Sequence, residues 1–200
     1  MNFKRFSHPF LRTAAALSAF SAIAVAAPAA WAQTSAPMAT SSKPATEASG
    51  SAVSSADRKM MVDIAQANMA EVAAGNIAME RSQSDDVKKF ATQMVDDHGK
   101  ALTDVQALAT SKNVKLPDGP DAKHKTMAAG MKMLKGHTFD VQYAKRSGVD
   151  DHQATLALLK KTQAQASDAD LKALAGKMQP VVEHHLMMAK ELASATSAKK

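Results

Sequence analysis

The tetrapeptide Val-Asp-Asp-His occurs twice in this chain, in VDDHGKAL (Val95–Leu102) and VDDHQATL (Val149–Leu156), and a further pair, His184-His185, lies near the C-terminus. An imidazole beside a carboxylate can ligate a transition metal, move a proton or hold a buried hydrogen bond. Which of these applies depends on where the rings point. Residues three, four and seven positions apart share a helix face. For His98 these are Ala91, Met94, Val95, Ala101, Leu102 and Val105, all apolar. For His185 they are Met178, Val181, Val182, Met188, Ala189 and Leu192, again all apolar. His152 has Lys145, Gly148, Val149, Thr155, Leu156 and Leu159, a mostly apolar set. Three histidines therefore fall on core-facing stripes. Glu71 shares a stripe with Ile64, Ala67, Gly75 and Ala78, where a carboxylate is costly unless it is paired or bound.

Two readings follow. In the first, Glu71, His98, His152 and His185 hold one transition-metal ion, with Zn, Cu or Fe as the candidates that imidazole and carboxylate suit. In the second, the same side chains form a metal-free polar cluster that satisfies its own hydrogen bonds. Asp97 and Asp151 are each turned about 100° from the histidine that follows. They are the carboxylates expected to hydrogen-bond a histidine on a neighbouring helix, as partners of metal-bound imidazoles do. Asp96 and Asp150 turn further, towards solvent. Tyr143 precedes His152 by nine residues, about 180° around a regular helix, which puts it outside the site. His124 and His137 are expected to face solvent. EHHLMM (Glu183–Met188) and MKM (Met131–Met133) form a second candidate, because thioethers suit Cu(I). Against it, Met94, Met178 and Met188 fall on the apolar stripes, where methionine is an ordinary filler.

Little points to an enzyme, and catalysis is left open. There is no nucleophile elbow, phosphate-binding glycine loop or zincin helix. A di-iron bundle needs Glu three residues before a histidine, and here those positions are Val95, Val149 and Val182. The absence of cysteine removes thiolate metal sites, thiol catalysis and attached c-type haem.

These residues need helices to position them. Apolar periodicity predicts helices over 56–82, 85–111, 138–166 and 168–193, with Ser84 and Ser167 as N-caps. NVKLPDGP (Asn113–Pro120) breaks the pattern, and a shorter helix over 121–135, ending at Gly136, fills the crossover between the second and third. Pro180 is expected to kink the last helix. DVKKFATQM (Asp86–Met94) resembles DLKALAGKM (Asp170–Met178), as if two helical hairpins arose by duplication. The fold class is all-α: a ferritin-like four-helix bundle with a short extra helix in the long crossover.

The ends of the chain have a different texture. Lys4, Arg5 and Arg12 precede or open the apolar run TAAALSAFSAIAVAAPAA, and Ala30-Trp31-Ala32 supplies a small-residue cleavage pattern. Residues 1–32 read as a secretory signal peptide cut after Ala32, which predicts a periplasmic or secreted protein. Residues 33–55, rich in Ser, Thr, Ala and Pro, read as a flexible linker, the bundle spans 56–194, and 195–200 reads as a disordered tail. Three of the 25 basic residues lie in the leader; against 19 acidic ones, the mature chain carries +3. That balance argues against a nucleic-acid partner, and no later segment is apolar enough to span a bilayer. Association with the envelope or outer membrane remains open, as does oligomeric state.

FATQMVDDHGKAL, FDVQYAKRSGVDDHQATLALL and LKALAGKMQPVVEHHLMMAKEL, with AQANMAEVAAGNIAMERSQS before them, resemble the exported bacterial family called domain of unknown function 4142, over roughly 57–192. The resemblance implies a ferritin-like bundle and the motif residues Glu71, Asp97, His98, Asp140, Tyr143, Asp151, His152 and His185. Members are often labelled outer-membrane proteins, but this chain lacks a barrel pattern, so the label implies association at most. The family brings no activity to transfer. The leading expectation is an exported metal-binding envelope protein; the alternative is a metal-free structural or stress-related envelope protein that acts through surface contacts.

Overall fold

The structure is a computed structural model that describes residues 52–198. The expected leader, most of the expected linker and the last two residues lie outside them. Helix α1 (Ser55–Arg81) and α2 (Asp85–Ser111) form one hairpin. A crossover carrying α3 (Ala122–Met131) leads into α4 (Gly136–Tyr143). The chain then passes without a break through a π-helical segment, Ala144–Asp150, into α5 (Asp151–Gln165). The last helix, α6 (Ala169–Ala198), packs against α5 and the π segment. The α4–π–α5 rod counts as one member of the bundle. The fold is thus a ferritin-like four-helix bundle with an extra helix in the crossover, and no strand occurs among the described residues.

Local chemistry sets the ends. Ser54 Oγ accepts from Asp57 N–H at 3.0 Å and Ser84 Oγ from Val87 N–H at 3.5 Å, each bond satisfying an otherwise orphaned first-turn donor. Helix α2 stops in a Schellman turn. Asn113 adopts φ 53°, Asn113 N–H reaches Thr110 C=O at 3.2 Å, and Val114 N–H reaches Ala109 C=O at 2.8 Å. Val114 is thereby carried into the core. The cap of α6 differs from expectation. Asp168, one residue beyond Ser167, accepts from Leu171 N–H at 2.9 Å. Ser167 N–H instead donates to Asp57 of α1 at 2.9 Å, as does Asp168 N–H at 3.0 Å. At the opposite turn, Ser82 Oγ donates to Asp140 of α4 at 2.5 Å and accepts from Ser84 N–H at 3.0 Å. Each hairpin turn is clasped by an aspartate from a distant helix. Helix α6 runs continuously through Pro180 and on to Ala198, with Thr196 buried; residues 195–198, expected in a disordered tail, are helical.

Two apolar clusters build the core. One gathers Met61, Ile64, Val105, Leu159, Leu171 and Val182; the other gathers Ile77, Phe90, Met94, Phe139, Tyr143 and Leu192. Each large side chain removed from water contributes about 1.5–3 kcal/mol. The hairpin helices approach closely at Gly75, where an added Cβ would lie 2.7 Å from Val95 Cγ2 and 3.0 Å from Ala91 O. Between the two clusters runs a layer of buried polar side chains: Asn68, Glu71, His98, His152 and His185 among them.

Candidate metal centre

Histidines from three bundle members meet in this layer. His98 is on α2, His152 on α5 and His185 on α6, and all three are buried. Their ring centroids form a near-equilateral triangle with sides of 5.3, 5.3 and 5.5 Å. One ring nitrogen from each lies within 4.8 Å of the other two.

The hydrogen bonds around the rings show which nitrogens are left without a proton. His98 Nδ1 is 2.9 Å from Asn68 Oδ1, and Asn68 Nδ2 donates to Ile64 C=O at 2.8 Å. That second bond fixes the amide, so Oδ1 accepts and His98 Nδ1 carries the proton. His152 Nδ1 is 2.9 Å from Ser147 C=O, so it too is protonated. In both neutral rings Nε2 is then the unprotonated nitrogen, and the two Nε2 atoms face each other at 3.3 Å. Two lone pairs at that distance repel unless a proton or a cation lies between them. His185 Nε2 donates to Asp97 Oδ2 at 3.1 Å, which leaves its unprotonated Nδ1 buried without a partner among the described residues.

A proton is a poor solution here. Burial, then His152 and His185, hold His98 well below the usual imidazole range. Burial above all brings His152 down to about 4, against a partial upward pull from the Ser147 carbonyl. Burial also lowers His185, although its bond to Asp97 works upward. A metal ion suits the spacing. Two nitrogens at 2.0–2.1 Å from a tetrahedral ion are about 3.3–3.4 Å apart. A cleft of ≈ 250 Å³, bordered by Lys100 and Lys177, reaches His98, His185 and Asp97 from the α2–α6 side.

The remaining sequence candidates sort differently. Asp97 bonds a histidine on another helix, at His185. Asp151 touches none of the three rings. Its Oδ1 lies 3.5 Å from both Lys123 Nζ and His124 Nε2 in the crossover. Glu71 stands behind His152: its Oε1 is 3.5 Å from Nδ1, the nitrogen turned away from His98. Glu71 Oε2 has no partner among the described residues. Burial, and secondarily Asp151, push the Glu71 carboxyl well above its ordinary range. His124 does not face solvent as expected. It is tucked between Asp121, 2.8 Å away, and Asp151, which together raise its pKa. His137 is exposed. In the Met/His candidate, Met187 and Met133 are exposed while Met131 is buried.

Tyr143 departs most from the helical-wheel expectation. A π turn absorbs an extra residue, so the 180° expected between Tyr143 and His152 shrinks by about 100°. Tyr143 stacks on Phe139 at 6.0 Å, and Phe90 contacts both Tyr143, at 6.2 Å, and His152, at 6.3 Å. Burial first, then the Glu71 charge, raise the Tyr143 hydroxyl well above its ordinary range. Gly148 lets the π segment press against α6, where an added Cβ would lie 3.1 Å from Ala189 Cβ. Sequence reasoning also missed Asn68, although it lies three residues before Glu71 and so shares its face. The Ser147 carbonyl had no sequence signal, because any residue carries one.

Residues 42–192 match the family described as domain of unknown function, DUF4142. The chain belongs to this family. No curated protein matches it. Among solved structures, the crystal structure of a DUF305 fragment from Deinococcus radiodurans is similar, with a TM-score of 0.63 at 14% identity, covering 72% of this chain and 98% of that one. That likeness concerns the fold alone. No helix among the described residues of this DUF4142 member is long and apolar enough to cross a membrane.

Proposed function

We propose that this DUF4142 member is an exported protein that binds one transition-metal ion through His98 Nε2, His152 Nε2 and His185 Nδ1. The observation that carries the reading is the pair of unprotonated Nε2 atoms facing each other at 3.3 Å in a buried layer. Three neutral imidazoles without thiolate suit Zn(II) or Cu(II). Three protein ligands leave a coordination position for water or a small ligand, and the α2–α6 cleft gives it a route. Asp97 orients His185, Asn68 orients His98, and the Ser147 carbonyl orients His152. Such contacts hold the metal-bound tautomer in place. Glu71, expected as a fourth ligand, is proposed instead to bias the charge behind His152. Export rests on the basic, apolar and small-residue pattern of residues 1–32.

The test is elemental analysis of mature protein purified without chelator or affinity tag, beside a His98→Ala/His152→Ala double variant. Near-stoichiometric metal in the native protein and none in the folded variant is the expected result, and it names the ion. Absence of metal from both, after incubation with Zn(II) and Cu(II), would leave the histidines a structural cluster and move the search for function to the surface.

A further inference from the structure

We propose that α3 and the turn after it dock the protein on an anionic phospholipid surface, with Met133 entering the lipid interface and the surrounding lysines meeting the phosphates. Charge is the first observation. Residues 122–149 carry Lys123, Lys125, Lys132, Lys135, Lys145 and Arg146, all exposed, against a single acidic residue, Asp140. Asp140 is buried and accepts from Ser82 in the first hairpin turn, so its carboxylate faces inward. Of the six cations, only Lys123 has an ion-pair partner among the described residues, Asp151 at 3.5 Å. The rest of residues 52–198 holds thirteen basic side chains and seventeen acidic ones. Positive charge is thus concentrated on the crossover, and such a distribution turns that face towards an anionic surface.

The shape of α3 suits a plane. Ala122, Thr126 and Ala129 recur at helical spacing and form its exposed outer ridge. None of them is charged or large, so the helix can approach a flat surface closely. Bonds of 3.1 Å, from Met133 N–H to Gly130 C=O and from Leu134 N–H to Met131 C=O, keep the chain winding past the end of α3. Met133 follows the ridge and is 81% exposed, more than any other large apolar side chain among the described residues. Lys125 and Lys132 stand on the α1 side of the ridge, and Lys123 and Arg146 on the α4 side. Lysine stems lie along apolar surface while the ammonium stays among the headgroups, and an apolar tip between cations is how interfacial helices bind. The same residues argue against a protein partner. Protein interfaces are enriched in Arg and aromatic side chains and depleted in Lys. Here five of the six cations are Lys, and Phe139 and Tyr143 of α4 are buried.

The test is flotation of the mature protein with vesicles of equal parts phosphatidylglycerol and phosphatidylcholine, beside vesicles of phosphatidylcholine alone. Binding to the first and none to the second is expected, weakening as added salt screens the charges. Each cation near such a surface is worth about fivefold, so Lys125→Gln/Lys132→Gln/Lys135→Gln should weaken binding about a hundredfold. Lys88→Gln/Lys89→Gln/Lys161→Gln removes the same charge from exposed positions on α2 and α5 and should change binding by less than about threefold. Met133→Ser should weaken it about tenfold, since a methionine no longer leaves water. All three variants alter exposed side chains and should unfold in urea as the native protein does. No binding to the anionic vesicles, equal binding to phosphatidylcholine alone, equal losses from the two lysine triples, or full binding by Met133→Ser would each overturn the proposal. So would retention on immobilised polyglutamate without vesicle binding, which would assign the basic face to an acidic protein.

Discussion

Val95–Leu102 and Val149–Leu156 begin with the same four residues, yet the bundle uses them differently. In the first, Asp97 reaches across to His185 on α6, while His98 is held by the side chain of Asn68 on α1. In the second, Asp151 turns outward to Lys123 and His124 of the crossover, while His152 is held by a backbone carbonyl five residues upstream. Only the histidines converge. Identical local sequence gives each histidine the same place on its helix. What stands beside each aspartate is set by neighbouring helices, and those differ because α2 follows a tight hairpin turn whereas α5 follows a π segment.

The largest test of this comparison is its shared part. If the proposed site holds a metal, His98→Ala and His152→Ala should each lower metal affinity by about a hundredfold or more, measured by competition with a chromophoric chelator, since each deletes a proposed ligand. Only one variant losing affinity would break the symmetry of the two segments. Acid should act next. In metal-free protein, His152 is near 4 when folded and near 6.5 when unfolded. Its contribution is fully present above pH 6.5 and is lost as pH falls towards 4. The loss is on the order of 3 kcal/mol, with the lowered His98 and His185 acting in the same direction. Glu71, raised by burial, acts in the opposite sense: its contribution is present below its unfolded pKa and is lost as pH rises through the folded one. Urea unfolding at pH 7 and pH 5 is therefore best measured in a Glu71→Gln background. A flat profile there would mean that the rings are not buried as neutral groups.

The two aspartates should separate more finely. Asp97→Asn should cost about tenfold to a hundredfold in metal affinity, as the loss of a partner to a ligating histidine does. Asp151→Asn should change it by less than about threefold. Equal losses would show that the second aspartate supports the site through a route other than contact with a ring. The smallest effect concerns the residue after each histidine, Gly99 in one segment and Gln153 in the other. A Cβ at Gly99 would meet nothing within 4 Å. Gly99→Gln should therefore stabilise the protein by about 0.5–1 kcal/mol in denaturant unfolding, without altering metal affinity. By contrast, Gly75→Ala, in the tight α1–α2 contact, should destabilise it by about 1–3 kcal/mol.

Much of this was legible in the residues. The periodicity gave the helix order and the hairpin pairing to within a few residues. It also put His98, His152 and His185 on core stripes, because an apolar stripe three and four residues apart has one way to bury itself. Three features were not legible. The π segment hides in AKRSGVD, since widening a helix turn needs no particular side chain, and it moved Tyr143 towards the site. The depth of Glu71 along α1 placed it behind His152 rather than beside the ring nitrogens, and a periodic pattern fixes the face of a helix but not its axial register. The cap lies at Asp168 rather than Ser167, and the amides of both residues are bound by Asp57, 110 residues away from Ser167, a long-range contact that no local pattern announces.

By itself the sequence determined that four amphipathic helices would bury three imidazoles, since hydrophobic spacing is local and each helix carries its own. Tertiary structure alone decided that two unprotonated nitrogens would meet at 3.3 Å, and which of two equivalent aspartates would reach a histidine of the cluster. Those outcomes depend on the relative height and rotation of helices. That geometry is settled only when all the faces pack together.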